Sequence, residues 1–356
     1  MDKTKLKMLA INPSTVSHAP SDKLLLPLQY VGLEVEVENL NLAFNQDLQR
    51  ALQKYWIVEK DGSLRNNGVE LCSRPYFGED LLNSLQDLED FLPSNVSWSM
   101  RTSVHVHLDV RDLDATQLLS IVYMYVFMEY LLFSYSPDRI GSQYCVPWFC
   151  SRGRGIEATI NALATNNMGD LVSALDELER YTAFNLKAVR KFATIEFRHM
   201  YGTNKYFTLV NWINLLMGIR KAADIPPADL LTLINSPSMR ESLIEQVYGT
   251  WTGLVHDVPN YEFLLKQGAS NLREIITRVA YYFLQPEDDS PTIENSSYKR
   301  LRKPKIHKNI NKGPKIRPRF IAIDDPEEAR GDLERFIVAN VGMWEDDDEH
   351  GDDGDF

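Results

Sequence analysis

The chain has 356 residues, of which 44% are hydrophobic, so it can bury the core of one large domain or two modest ones. Its formal net charge of -12 argues against a general nucleic-acid binder. The three cysteines have neither the paired spacing of a metal site nor the even number of a disulfide framework, which indicates a reducing cytoplasm. The most apolar window, residues 118–133, contains Glu129 and is too short for a membrane span, so we expect a soluble protein with a buried core helix.

Residues 1–27 lack a secretory signal and are expected to form a leader before the folded part. Alternation of apolar and polar residues then predicts strands over 30–39, 56–59, 68–73, 103–110 and 193–199. Helical spacing predicts helices over 46–55, 79–91, 170–180, 207–223, 227–233, 239–247 and 271–284. A further long helix is expected to end near residue 135 and to be capped by Asp112 or Asp114. Residues 136–155, rich in glycine, proline, arginine and aromatic residues, are expected to form a functional loop.

Three carboxylates alternate along the first predicted strand. Glu34, Glu36 and Glu38 share one face, while leucine and valine residues between them share the other. Such carboxylates repel one another in a dry site, so a cation should lie against them, and a divalent metal is the obvious candidate. The alternative is an ordinary two-faced strand with its polar side in water. Within the run, Glu38 is the residue that we expect to lie merely in water.

Three other strands present polar residues in an apolar context: Glu70, then His105 and His107, then Glu196 and Arg198. Taken singly, an H-x-H strand is commonly half-exposed, and an E-x-R strand commonly forms a surface ion pair. Taken together, carboxylates, imidazoles and a guanidinium are what phosphoryl transfer requires, since metals bridge nucleotide phosphates and an arginine stabilises the transferred group. Oxygen ligands favour Mg²⁺ or Mn²⁺ over zinc, and their number favours two or more ions. No Gly-rich phosphate loop is present, so metals and side chains would hold the nucleotide.

In order and spacing, these motifs resemble the amidoligases, relatives of glutamine synthetase and the glutamate-cysteine ligases in the carboxylate-amine ligase superfamily. The resemblance rests on five stretches: VGLEVE at 31–36, DGSL at 61–64 followed by GVE at 68–70, VHVHLD at 104–109, residues 139–145, and residues 180–203. It covers about residues 28–225, weakens to about residue 285 and does not include the charged C-terminal part. We therefore expect residues 28–285 to form an amidoligase-like catalytic domain.

The resemblance implies an α+β fold, with a glutamine-synthetase-like antiparallel sheet that holds the metals on its concave face and helices on its other side. Carried over by motif position, it implies these metal ligands: Glu34, Glu36 and Glu70, with His105 and Glu196 at a second ion. It also implies that His107 contacts a nucleotide phosphate and that Arg198 contacts the transferred phosphoryl group. Asp61 would face the incoming amine. The residues implied at the nucleotide or the acidic substrate are Arg139, Arg180 and Asn185. Cys145 is expected to be a packed thiol rather than a nucleophile.

The function implied is an ATP-dependent carboxylate-amine ligase in the cytoplasm, which forms an amide or isopeptide bond through an acyl phosphate. Its partners would be a carboxylate and an amine, from small molecules, peptides or proteins, with no membrane partner. One alternative is an ATP-dependent phosphotransferase on the same type of site. Another is a non-enzymatic scaffold that binds partners through its charged tails, its polar strands being structural.

The C-terminal residues form two blocks of opposite charge. A basic linker or arm is expected at 286–319, since residues 299–319 hold ten lysines or arginines and no acid. An acidic, largely disordered tail is expected at 320–356, which hold 14 acidic residues. Such blocks are usually solvated. The alternative is a basic arm that contacts nucleic acid or an acidic partner, and no other nucleic-acid contact is expected.

Overall fold

The computed structural model describes residues 23–40, 46–150 and 154–283. Within them, six strands form one antiparallel sheet in the spatial order β2-β3-β1-β4-β6-β5. The strands are β1 Val31–Val37, β2 Trp56–Lys60, β3 Val69–Ser73, β4 Ser103–Asp109, β5 Phe184–Asn185 and β6 Thr194–Tyr201. The predicted α+β class and antiparallel sheet are confirmed. The predicted basic arm at 286–319 and acidic tail at 320–356 lie outside the described residues, as does most of the leader.

α-Helices provide most of the remaining regular structure of these residues, and two short 3-10 helices lie at Ala222–Asp224 and Gly249–Trp251. The α-helices are α1 Gln46–Leu52, α2 Gly78–Phe91, α3 Ala115–Tyr135, α4 Gly155–Ala164, α5 Met168–Glu177, α6 Lys187–Phe192, α7 Tyr206–Lys221, α8 Pro227–Asn235, α9 Arg240–Tyr248, α10 Gly253–His256 and α11 Tyr261–Phe283. The predicted loop at 136–155 contains two short 3-10 turns, Pro137–Gly141 and Trp148–Cys150. The sequence pattern did not reveal α4, β5, α6 or α10.

The sheet has one apolar and one polar face, as the alternation in β1 predicts. The valine and leucine side chains of β1 are buried in the core, whereas Glu34 lies on the opposite face and is partly exposed. In the register, Glu34 pairs with His105 of β4, and Glu36 pairs with Glu70 of β3. Because paired residues of neighbouring antiparallel strands point to the same face, the register assembles these polar side chains across the sheet.

The most apolar part of the sequence forms α3 in the centre of the core. The helix is long and apolar enough to cross a membrane, yet its most apolar window is completely buried inside the fold. Asp114 caps its start, since the carboxylate accepts the N–H of Gln117 at 2.8 Å and the Gln117 side chain accepts the N–H of Asp114 at 3.0 Å. Asp112, the alternative cap, instead accepts hydrogen bonds from Arg220 at 2.6 Å. The predicted core helix is confirmed.

The last helix begins earlier than its sequence indicates. A start near residue 271 was predicted from helical spacing, but α11 begins at Tyr261. A Cβ atom at position 268 would lie 1.9 Å from the carbonyl oxygen of Phe127 in α3. Gly268 therefore allows the backbones of α3 and α11 to approach closely, and this packing outweighs its low helix propensity.

Candidate active site

Glu34 lies at the centre of the polar face, between two histidines of β4. Its Oε2 is 2.8 Å from Nδ1 of His105, and its Oε1 is 3.2 Å from Nε2 of His107. Burial works against ionisation, but the hydrogen bonds from both imidazoles hold the pKa of Glu34 well below its usual range. Against the effect of burial, the Glu34 carboxylate raises the pKa of His107, whose Nδ1 lies 3.0 Å from Oγ1 of Thr194.

Ser103 links this pair to the next carboxylate. Its hydroxyl donates to Oε2 of Glu36 at 2.5 Å and lies 2.9 Å from Nε2 of His105. Glu36 is only 7% exposed, so its carboxylate is held in a defined position. Both ring nitrogens of His105 thus have hydrogen-bond partners on the polar face.

A second group of carboxylates has no cationic partner among the described residues. Oxygen atoms of Glu36, Asp61 and Glu70 lie within 4.8 Å of one another. In the part of the chain that the structure describes, none of the three forms an ion pair. Burial, followed by the charges of Glu34, Glu36 and Asp61, raises the pKa of Glu70 to about 7. The lack of a cationic partner among the described residues makes this group a candidate metal site, and its oxygen ligands would suit Mg²⁺ or Mn²⁺.

Three more groups have the spacing of metal ligands: one contains Glu59, Glu70 and Cys72, and the remaining two include Glu34. Of these two, one contains Glu34, Glu70 and His105, and the other contains Glu34, His107 and Glu196. Glu34 and Glu70 each belong to more than one group, so neighbouring ions could share a ligand. The structure brings all five predicted metal ligands together on one face. Asp61, predicted at the incoming amine, lies with Glu36 and Glu70, and its role toward the amine stays a prediction.

Arg198 stands beside these groups on β6. Its Nη1 forms an ion pair with Oε1 of Glu196, and its Nε donates to the carbonyl oxygen of Tyr144 at 3.3 Å. Asn185 of β5 donates to the other oxygen of Glu196 at 2.7 Å. Among the described residues, Nη2 of Arg198 has no hydrogen-bond partner. The guanidinium is therefore fixed by two of its nitrogens, and the third can meet a ligand.

A β-bulge lies next to Arg198. Val104 of β4 pairs with Met200 of β6, and Val106 pairs with Phe197. Two residues of β6 therefore lie opposite the single residue of β4 between these pairs. Bulges re-aim side chains and are frequent beside active sites. Here the bulge releases Arg198 and the next residue from the regular ladder with β4.

The two remaining predicted arginines differ in exposure. Arg180 is exposed, and its guanidinium lies 5.3 Å from the centre of the Tyr181 ring, which Arg198 also approaches at 5.8 Å. Arg139 is 3% exposed and donates through Nη2 to the carbonyl oxygen of Arg198 at 3.3 Å. Arg139 thus contacts the backbone of β6 and is covered by the fold. Nucleotide or substrate binding by Arg139, Arg180 and Asn185 stays a prediction.

The expectation for Glu38 was wrong. The residue is 3% exposed, and its Oε1 accepts the backbone N–H of Arg65 at 2.9 Å. Glu38 is therefore a structural acceptor for the loop between β2 and β3 rather than a solvated end of the strand. Cys145 is fully buried, and burial raises the pKa of its thiol to about 11, as expected of a packed thiol. None of the three cysteines forms a disulfide.

Three contributors to the site were missing from the sequence prediction. Ser103 and Thr194 continue the alternation of the H-x-H and E-x-R strands, so the two-residue period could have revealed both. Tyr144 contributes its backbone carbonyl oxygen, for which its side chain gives no signal.

The fold and the polar face define an α+β protein with a candidate metal site, and comparison of the sequence identifies its family. The family model described as "Putative amidoligase enzyme" matches residues 30–220, more than half of the chain. The chain belongs to this family of enzymes, whose name denotes ligases, and the predicted resemblance is confirmed. None of the curated proteins matches the chain.

Proposed function

We propose that the protein is an ATP-dependent carboxylate-amine ligase related to glutamine synthetase, which forms an amide or isopeptide bond through an acyl phosphate. One observation carries the proposal: carboxylates, imidazoles and a guanidinium from neighbouring strands meet on one face of the sheet. A carboxylate is a poor electrophile, and ATP carries several negative charges. Bringing the two together requires concentrated positive charge in a fixed arrangement.

Two or more Mg²⁺ or Mn²⁺ ions are proposed to bind this face. The residues that would hold them are Glu34, Glu36, Glu70, His105 and Glu196, with Asp61 beside them. The chemistry of these donors fits, because the carboxylates of Glu36, Asp61 and Glu70 are gathered within 4.8 Å without a cation from the described residues. When bound, such ions would neutralise the phosphates of ATP and polarise the transferred group.

Arg198 is proposed to bind the transferred phosphoryl group through the side of its guanidinium that Glu196 and Tyr144 leave open. Because Glu196 and the Tyr144 carbonyl hold the other side, little reorientation is needed during reaction. His107, held between Glu34 and Thr194, is proposed to lie at a nucleotide phosphate. Arg180 and Asn185 are proposed to line the nucleotide or the acidic substrate.

The reaction has two displacements. An oxygen of the substrate carboxylate attacks the γ-phosphorus of ATP, and the bond between that phosphorus and ADP breaks. The amine nitrogen then attacks the acyl carbon, phosphate leaves, and the nitrogen releases a proton, for which the Asp61 carboxylate is the proposed acceptor. No covalent bond to the protein is needed.

The test measures ADP release with pooled amino acids, peptides and polyamines, followed by mass spectrometry of the active mixtures. A ligase yields a product equal to two substrates less one water, whereas the phosphotransferase alternative yields a stable phosphate adduct. Arg198→Lys, which keeps the charge but cannot contact both Glu196 and Tyr144 O in the same way, should lower kcat about 100-fold or more.

A parent protein that neither binds Mg²⁺-ATP nor releases ADP would favour the scaffold alternative and contradict the proposal. Full ADP release by Arg198→Lys would remove Arg198 from the reaction. Glu157→Gln is a matched control, because Glu157 is another buried acid, on α4, and its partner Arg278 lies on α11. That variant should keep the parent kcat.

A further inference from the structure

Glu129 is a carboxylate in the middle of the most apolar helix. It is fully buried in α3, and it accepts the hydroxyl of Tyr125 at 2.6 Å. A buried carboxylate is costly unless hydrogen bonds compensate for lost hydration. Most positions of α3 carry apolar side chains that need no such compensation, so the contacts of Glu129 indicate why an acid occupies this one.

Its two other contacts lie outside the helix. Oε1 accepts the backbone N–H of Trp148 at 2.6 Å, and Oε2 accepts the backbone N–H of Phe149 at 3.2 Å. These amides open the 3-10 turn Trp148–Cys150, where N–H groups have no partner within the turn. Glu129 therefore anchors the end of the loop that follows α3.

The anchored loop continues back to the active-site face. The N–H of Val146 donates to Tyr181 O at 2.7 Å, and the N–H of Ala183 donates to Val146 O at 2.8 Å. The Trp148 indole donates to Phe184 O at 3.0 Å. Residues 144–149 are thus held between α3 on one side and the segment that leads into β5 on the other.

This loop supplies the carbonyl oxygen that orients Arg198. Tyr144 O accepts from Nε of Arg198, and the backbone N–H of Arg198 donates to Ala183 O at 2.9 Å. Because Arg198 lies at the β-bulge, the regular ladder with β4 does not fix it. On the core side, the hydroxyl of Tyr125 also lies 3.3 Å from Nε2 of His199, the residue after Arg198.

We infer that Glu129 is a positioning residue for Arg198: by anchoring the Trp148–Cys150 turn, it holds the Tyr144 carbonyl where it aims the guanidinium at the polar face. The inference rests on the proposed function, in which Arg198 binds the transferred phosphoryl group. Glu129 is fully buried and accepts hydrogen bonds from Tyr125, Trp148 and Phe149 rather than from a proposed metal ligand, so its effect would reach the reaction through the loop.

The test is Glu129→Gln, which keeps the size of the side chain but replaces one acceptor oxygen by an NH₂ group facing a backbone N–H. Both kcat and the KM for ATP are measured well below the melting temperature of each variant. A displaced Arg198 should lower kcat about 10- to 100-fold and leave the KM for ATP within about twofold. A merely structural role would lower the melting temperature without this split.

A second measurement follows Arg198 directly. The ¹⁵N–¹H signal of its Nε, identified by its absence in Arg198→Lys, should shift in Glu129→Gln. Glu157→Gln, in which the other buried carboxylate is changed, should leave this signal and kcat unchanged. If Glu129→Gln loses stability but keeps both kcat and the Nε signal, the inference is wrong.

The two proposals fail in different ways. A parent protein without ADP release contradicts the proposed function, while the Nε signal still reports whether Glu129 positions Arg198. Should Glu129→Gln not fold, Tyr125→Phe removes a single hydroxyl from the same carboxylate, and a smaller drop in kcat is expected. An unchanged kcat and Nε signal in Tyr125→Phe would then overturn the inference.

Discussion

Replacement of Glu36 by glutamine should raise the stability of the metal-free protein and weaken its response to metal. Glu36 stands within 4.8 Å of the carboxylates of Asp61 and Glu70, with no ion pair to relieve their repulsion in the described part of the chain. The glutamine oxygen can still accept the hydroxyl of Ser103, so the local hydrogen bond is kept. At a metal site the substitution thus raises the stability without metal and lowers the stabilisation by metal. Substitution of an ordinary packed side chain would not produce both changes.

The size of each effect follows from simple estimates. Two unit charges 4.8 Å apart repel by about 3 kcal/mol at an effective dielectric constant of about 20. Since the pKa of Glu70 is raised to about 7, that group carries only part of its charge at neutral pH, and a relief of about 1–3 kcal/mol is expected. Metal at a concentration of 100 Kd stabilises the parent by about 2.7 kcal/mol. A variant that binds 10- to 100-fold more weakly keeps about 1.4 kcal/mol or less.

Thermal unfolding with and without Mn²⁺ or Mg²⁺ measures both effects, and about 1 kcal/mol corresponds to about 2–4 °C for a domain of this size. Glu38→Gln is the matched control, because Glu38 directly follows the same strand and is also buried, but accepts a backbone N–H. Its glutamine oxygen can still accept the N–H of Arg65, so that control should melt close to the parent and keep the full metal shift. If Glu36→Gln melts lower without metal and still shows the parent shift, Glu36 is structural and the metal site is wrongly placed.

Two further predictions concern the core. Burial raises the pKa of Glu129 to about 7, above its ordinary value of 4.5, so the folded protein retains a proton that the unfolded chain releases between these values. The free energy of unfolding that Glu129 contributes should therefore fall by about 3 kcal/mol as pH rises from about 4.5 to 7. Denaturation at several pH values should show this fall in the parent protein but not in Glu129→Gln. A fall of equal size in the variant would contradict the reasoning. The titratable groups that face Glu129 have raised pKa values and stay neutral in this range: Tyr125, Tyr130 and Cys145. Gly268→Ala should lower the free energy of unfolding, measured by urea denaturation, by about 1–3 kcal/mol or more, because its Cβ would overlap Phe127 O. The control Gly141→Ala, with no atom within 4 Å of its Cβ, should leave this free energy unchanged.

The polar face was readable from the sequence because strands carry a period of two. Each of Glu34, His105 and Glu196 stands in an alternating stretch, so its face could be assigned without knowing its neighbours. The pairing of strands could not be assigned in this way. That Glu36 stands opposite Glu70 depends on the sheet order, which the sequence of either strand alone does not contain.

The predictions that failed depended on contacts with backbone groups. Glu38 was assigned to water, because its partner is the amide of Arg65, 27 residues away, and an amide leaves no mark on the side-chain pattern. The contact of Arg198 with the Tyr144 carbonyl and the contacts of Glu129 also involve backbone groups, so the sequence pattern did not predict them. The early start of α11 was missed because the spacing of apolar side chains carries no information about how closely another helix approaches, as α3 does at Gly268.

The residues that match the family model are not all the residues needed to bury α3. The family match ends at residue 220, within α7, whereas α8 and α11 lie beyond it and both pack against α3. Removal of everything after residue 220 would therefore leave an apolar helix, with the composition of a membrane span, partly open to water. The segment that matches the family is thus smaller than the one that buries α3, and a fragment cut at residue 220 is expected to aggregate before its activity could be measured.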